Sequence, residues 1–164
     1  MILPDLLKKD FEIVFCGTAA GNKSADRKAY YAGTGNLFYP TLVSCGFTPR
    51  ILKPEEFPEL LKHNIGLTDL AKFTFGMNKN LNHNDYDIKG FEEEMLIHQP
   101  MFICFNGKTA ASKYLRIADT KLLTYGLNTA TLNKTKIFIA PSTSPRAFAY
   151  WNESIWRELK TLIN

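Results

Sequence analysis

The sequence is poor in the features that would name its chemistry at once. Apolar segments such as "IFIAP" and "MFICF" are far shorter than the ~20 residues a membrane helix needs. The N-terminus lacks a basic region followed by an apolar one, so a protein kept inside the cell is expected, cytoplasmic and nucleoid-associated if bacterial. Cysteine is scarce: Cys16, Cys45 and Cys104 are odd in number, widely spaced and set in apolar contexts. That argues against a disulfide framework or an iron–sulfur site and for core thiols. There is no P-loop and no CxxC or HExxH pattern, and "GTAAG" followed by Asn22 and Lys23 does not match a dinucleotide fingerprint. The three histidines, His63, His83 and His98, fall in segments read as helix or loop, away from the strand ends. Net charge is only +4, which allows a polyanionic partner without requiring one.

What is present fits one globular domain spanning 1–164. The hydrophobic fraction of 45% and charged fraction of 22% are near globular averages, and this length buries roughly two thirds of the unfolded surface. "FEIVFCG", "MFICFNG" and "KIFIAP" read as buried strands. "NLFYPTLVSCGF", "KPEEFPELLKHN", "IKGFEEEMLIHQP", "KTAASKYL" and "NESIWRELKTLI" read as helices, with Pro40 in a first turn, Pro54 near a start and Asn152 as a cap. Residues 22–35 read as a polar loop, "IGLTDLAKF" is ambiguous, and "GMNKNLNHNDYD" resembles an irregular loop. Alternating strands and helices predict a three-layer α/β/α domain around a mainly parallel sheet.

Three strands then end in three loops, "GTAAG", "NGK" and "PSTSPR", and the carboxyl ends of parallel strands line one crevice. The residues gathered there are small, neutral and hydrogen-bonding: Thr18, Asn36, Asn106, Ser142, Thr143 and Ser144, with Tyr30 and Tyr31 nearby. An aromatic ring that stacks and amides that read an edge suit a flat heteroaromatic ligand, a nucleobase above all. The same residues also suit helix caps and turns.

Five segments in order resemble the mismatch-specific uracil and thymine DNA glycosylases of the uracil-DNA glycosylase superfamily. "GTAAG" stands where that family carries Gly-Ile-Asn-Pro-Gly, and "YAGTGNLFY" resembles its Tyr-Pro-Gly-Pro-Gly-Asn-His-Phe-Trp. "IGLTDL" resembles Ile-Gly-Phe-Thr-Asn, while "FNGK" and "PSTSPR" resemble Phe-Asn-Gly-Lys and Pro-Ser-Ser-Ser-Ala-Arg. The resemblance runs from about Phe11 to Leu162. It implies a monomeric, monofunctional base-flipping N-glycosylase that acts on double-stranded DNA carrying a mismatched or damaged base, without metal or redox cofactor. It also implies a base pocket at Gly17, Thr18, Ala19, Ala20 and Gly21, with Ser24 excluding the thymine methyl, Tyr31 stacking on the base, and Asn106 either reading its edge or simply turning the chain. Ser142, Ser144 and Pro145 fall on the DNA-pressing loop, Arg146 on the wedge, and Lys108 borders the same loops with Lys23, Arg27 and Lys28.

One position departs from the pattern. The family's water-positioning Asn is Ala19 here, and Asn36 is the preferred substitute, with Thr18 and Ser142 as further catalytic candidates. The hypoxanthine-specific branch of the superfamily also lacks the first-motif Asn and resembles this chain in "YY" and "PSTSP". Asn36 equally suits an N-cap. Uracil, as in a G:U pair, is the expected base, with hypoxanthine as the competing one. A damaged-DNA binder without turnover and a nucleotide-binding α/β protein are the alternatives from other classes.

Overall fold

The computed structural model describes residues 1–77 and 80–164. Asn78 and Lys79, within the stretch read as an irregular loop, lie outside the described residues. The centre is a sheet of five strands: β1 Ile13–Ala20, β2 Ile65–Phe75, β3 Phe102–Asn106, β4 Gly126–Leu132 and β5 Thr135–Ala140. Their order is β2-β1-β3-β5-β4; β1 pairs in parallel with β2 and β3, and β3 with β5, while β4 runs antiparallel to β5. The helices are α1 Asn22–Arg27, α2 Phe38–Ser44, α3 Ile88–His98, α4 Lys108–Leu115 and α5 Glu153–Ile163. This is the expected three-layer α/β/α architecture.

Strand alternation divides the core in two. Ile13 and Phe15 of β1, Phe102 and Cys104 of β3 and Phe138 of β5 face a layer built from α2, α5 and a 3₁₀ segment over Pro54–His63. Val14, Cys16, Ile103, Phe105, Ile137 and Ile139 face α3 and α4. Both faces are covered, which is why the three central strands are almost wholly apolar. All three cysteines are free and buried, as core thiols should be. Phe15 sits at the middle of the first face, with its ring centroid 5.3 Å from Phe38, 5.8 Å from Phe47 and 5.4 Å from Trp156.

Several expectations need correction. Residues 22–35 are not all loop, because α1 opens them directly after Gly21. β1 does not stop at Cys16 but runs on through Gly17 to Ala20, so its small residues are strand, with a register shift between Ala19 and Ala20. The ambiguous segment is β2, the long edge strand, and β4 lies in a stretch to which the sequence reading assigns no element. The "KPEEFPELLKHN" helix is 3₁₀, consistent with Pro58 in its interior, where the ring disrupts α-helical hydrogen bonding. By contrast, α3 closes just before Pro100, and Asn152 caps α5 by accepting a hydrogen bond from the Ser154 N–H at 3.1 Å. No described helix is long and apolar enough to cross a membrane.

Trp156 links this core to the strand ends. Its indole N–H donates to the Pro141 carbonyl at 3.0 Å, fixing the chain where it leaves β5. Trp156→Phe keeps an aromatic ring but orphans that buried carbonyl. The expected outcome is a loss of about 1–3 kcal/mol in denaturant unfolding, with faster amide exchange in residues 142–146.

Candidate functional site

The sheet register creates a row of four positions at one level near the carboxyl ends of the strands. Gly17 pairs with Asp69 on β2, Asn106 pairs with Ala140 on β5, and Asn106 follows the residue paired with Cys16. The row therefore reads Asp69, Gly17, Asn106, Ala140, all on the Phe15 face. Gly17 leaves a gap in it. A Cβ at Gly17 would lie 2.8 Å from the Asp69 carboxylate and 3.6 Å from the Tyr31 hydroxyl, so glycine is required for the acid to occupy its place.

Asp69 is the candidate residue that sequence reasoning passed over. It is only 7% exposed, and among the described residues its carboxylate accepts no hydrogen bond. Burial pushes its pKa up to about 7; nearby Lys72 opposes the rise and Asp5 adds to it. Lys72 is not a direct partner, because its ammonium sits 2.7 Å from Asp5 and 2.6 Å from the Thr68 hydroxyl. The gap beside Asp69 toward Asp5 and Lys72 is too narrow for a water molecule. A carboxyl group inside an otherwise apolar run, "IGLTDLA", was the available signal.

Tyr31 reaches the same row from the segment between α1 and α2. It adopts φ +55°, a left-handed conformation uncommon for a bulky residue, and its ring lies 4.0 Å from that of Phe38. Its hydroxyl is buried without a well-formed hydrogen bond among the described residues, although the Asn106 side chain is close enough to lower its pKa. Burial raises its pKa well above the ordinary value, so it remains a neutral hydroxyl. A residue in that conformation with a buried hydroxyl at the end of a sheet is a candidate for a functional position.

Asn106 is held by Thr143. Its amide donates to the Thr143 hydroxyl at 3.0 Å and accepts from the Thr143 N–H at 3.0 Å. Thr143 is buried, and its carbonyl accepts the Leu37 N–H at 3.0 Å, tying the loop after β5 to the entry of α2. Beside it, Gly107 has φ +106° and lies against Ser142, while Pro145 lies over Gly35. Asn106 and the Ser142–Arg146 loop thus belong to one hydrogen-bonded cluster, and Asn36 adjoins it as the neighbour of Leu37.

Asn36 is not the N-cap of α2, which is Leu37, but stands one residue before it. Its side-chain oxygen accepts the Phe38 N–H at 3.0 Å, a turn that opens α2. One further lone pair and two N–H donors remain on the amide. Ser142 accepts from the Ser144 N–H at 3.2 Å, and Ser144 caps the 3₁₀ turn over Pro145–Tyr150. Arg146 is exposed, and its guanidinium carries no bond among the described residues.

Other candidates are not brought to the row. Ser24 is buried in α1, where its hydroxyl accepts the Ala32 N–H at 3.0 Å and builds the turn beneath Tyr31. Alternation puts the Thr18 side chain on the face opposite Gly17, and Ala19 pairs with Ala71 while Gly21 caps α1. Lys108 lies over the Tyr125 ring at 4.5 Å, and Arg27 is bound to Glu55 and to the Ala32 carbonyl. Among the described residues no cluster of three or more His, Cys, Asp or Glu could hold a metal ion. A groove of about 280 Å³ over α3, lined in part by Glu92 and Arg116, contains none of the strand-end residues.

Asp69 also gives stability a pH dependence whose sign can be worked out. In the unfolded chain it ionises near 3.9, and in the fold near 7, so folding is favoured fully below the lower value and loses ground as pH rises toward the upper one. Asp69→Asn does not titrate. Thermal and denaturant unfolding should show the variant gaining on the wild type between about pH 4 and pH 7, by about 4 kcal/mol. A constant difference across that range would mean the carboxyl group is ionised in the fold.

Two comparisons bear on this architecture. The solution NMR structure of a protein from Methanosarcina acetivorans, provisionally assigned as a uracil DNA glycosylase, superposes with a TM-score of 0.66 over 98% of this chain and 96% of that one, at 21% identity. At that identity the likeness establishes the fold. The family model of the uracil DNA glycosylase superfamily matches residues 4–162, almost the whole sequence. With the row of Asp69, Gly17 and Asn106 lying within that span, the chain belongs to the uracil DNA glycosylase superfamily.

Proposed function

We propose that this protein is a DNA N-glycosylase that flips a deaminated base out of duplex DNA and hydrolyses its glycosidic bond, leaving an abasic site. The observation that carries this reading is the row at the strand ends. Asp69 and the buried Tyr31 hydroxyl converge above Gly17, where a ring's edge can be met by several hydrogen-bonding groups at once. Flipping is cheapest at a mismatch, so uracil opposite guanine is the proposed substrate.

Within this reading the residues divide by position. Tyr31, backed by Phe38, is the surface on which the base stacks, and the Ser142–Arg146 loop meets the DNA. Arg146 is exposed and unengaged among the described residues, as a wedge that must fill the vacated stack should be. Phe148 and Tyr150, 48% and 69% exposed on the following turn, add aromatic surface to the same face. Asn36 positions the attacking water, because Ala19 offers no polar group and the Asn36 amide keeps bonding capacity beyond Phe38. Ala19 and Asn36 together favour hypoxanthine as a second substrate.

The test is incubation with duplexes carrying uracil opposite guanine, uracil opposite adenine, thymine opposite guanine, or hypoxanthine opposite thymine, followed by alkali. Strand scission at uracil opposite guanine is expected, and absence of scission at all four sinks the proposal. Asn36→Ala should lower the single-turnover rate on the order of 10²-fold while leaving duplex binding within about threefold. Arg146→Ala should slow excision from duplex at least about tenfold more than from single-stranded DNA, where no stack needs filling.

A further inference from the structure

Of the acids with defined surroundings, Asp69 is the one left buried and unpartnered. Asp5 is bound to Lys72, Glu55 to Arg27, Glu56 and Glu59 to Arg50, and Glu153 to Arg157. Asp69 stands at the row beside Gly17 with none of these compensations. An ionised carboxylate buried without a hydrogen bond is costly, whereas a neutral carboxylic acid in the same place is not.

The two protonation states have different recognition chemistry. Ionised, Asp69 is an acceptor only, and its complement is an edge with two adjacent donors, such as the N–H and amino group of guanine. Neutral, it offers one O–H donor and one carbonyl acceptor, the pattern of an amide. Its complement is then an edge with one acceptor beside one donor, and the lactam edge that deamination creates in uracil and hypoxanthine, a carbonyl beside an N–H, is one such edge. The Tyr31 hydroxyl, held neutral above the same glycine, supplies a further donor for that carbonyl.

We propose that Asp69 binds the edge of the flipped base as a neutral carboxylic acid, giving one hydrogen bond and accepting one. This rests on the glycosylase reading and assigns the group that holds its substrate. It also builds an upper pH limit into recognition, because ionisation removes the donor.

The groups around Asp69 leave it to titrate alone. Asp5 approaches from the N-terminal segment and Lys72 from β2, and they form an ion pair with each other. Tyr30 and Tyr31 approach from the chain after α1, and Cys16 from β1; burial raises all three, so they stay neutral through the range in which Asp69 ionises. The break in pH expected for Asp69 is near 7.

The experiment compares wild type with Asp69→Asn, which keeps a donor and an acceptor but cannot ionise. On uracil opposite guanine, wild-type kcat/KM should fall about tenfold per pH unit above the break, while Asp69→Asn stays level to about pH 8.5 and keeps at least about a tenth of the wild-type rate at pH 6. A folded Asp69→Asn protein that loses about 100-fold or more at pH 6 overturns the proposal, since the ionised carboxylate would then be the working form. A wild-type profile without the fall overturns it too. Free uracil and hypoxanthine supply a readout independent of turnover, followed through the Gly17 and Asn106 amide signals by NMR. They should shift these signals in wild type at pH 6 but not at pH 8.5, and in Asp69→Asn at both. If no duplex is cleaved yet these shifts appear, the hydrolase reading fails and the Asp69 assignment stands; if the bases bind wild type equally at both pH values, or not at all, the assignment fails.

Discussion

The reciprocal pair between Asn106 and Thr143 is the interaction on which the strand-end architecture depends. A side-chain amide of β3 uses both its donor and its acceptor on one residue of the loop after β5. That residue's carbonyl then accepts the N–H of Leu37 at the entry of α2. Three segments far apart in sequence are locked together by these bonds. Trp156, holding the Pro141 carbonyl from below, extends the lock to the aromatic core. The loop proposed to meet DNA is therefore anchored at its root and exposed at its tip, where Arg146, Phe148 and Tyr150 stand.

Against this fixed background the row above Phe15 is a local departure from the rules that build the sheet. Up to Cys16 and Phe105 the central strands are closed on both faces by apolar side chains. One step further along, the same face holds an acid, a missing side chain, an amide and a strained tyrosine. The departure needs the order around it: Asp69 can be buried because the neighbouring strand offers a glycine, and Tyr31 is held by the packing of its ring on Phe38.

The parts of the fold legible in the sequence are those with one dominant signal. β1, β3 and β5 are buried on both faces and read as continuous apolar runs, and α5 announces itself through Asn152 and its amphipathic spacing. β2 was obscure because Gly66, Thr68 and Asp69 interrupt its apolar pattern, although the strand is stabilised by its register with β1. β4 was obscure for the opposite reason, since "GLNTATL" alternates between half-buried and exposed positions on an edge and carries little hydrophobic signal. α1 has only six residues and no side-chain cap. At the site, motif order drew attention to Gly17, Tyr31, Asn36 and Asn106, but Asp69 gains its meaning only from parallel pairing, which sets residues 17 and 69 side by side. No local pattern contains that fact.

The N-terminal segment gives the edge of the sheet an unexpected standing. It bridges to β2 at Leu67 through Leu6, and places Asp5 against Lys72 and Thr68. At first sight this only covers an exposed edge. Yet Lys72 is the nearest positive charge to Asp69, and it is Asp5 that keeps it occupied. Burial is the main reason the Asp69 pKa is raised; Lys72 opposes that rise and Asp5, its ion-pair partner, adds to it. The attachment of a terminal segment thus bears on the electrostatic setting of a group two residues along the neighbouring strand.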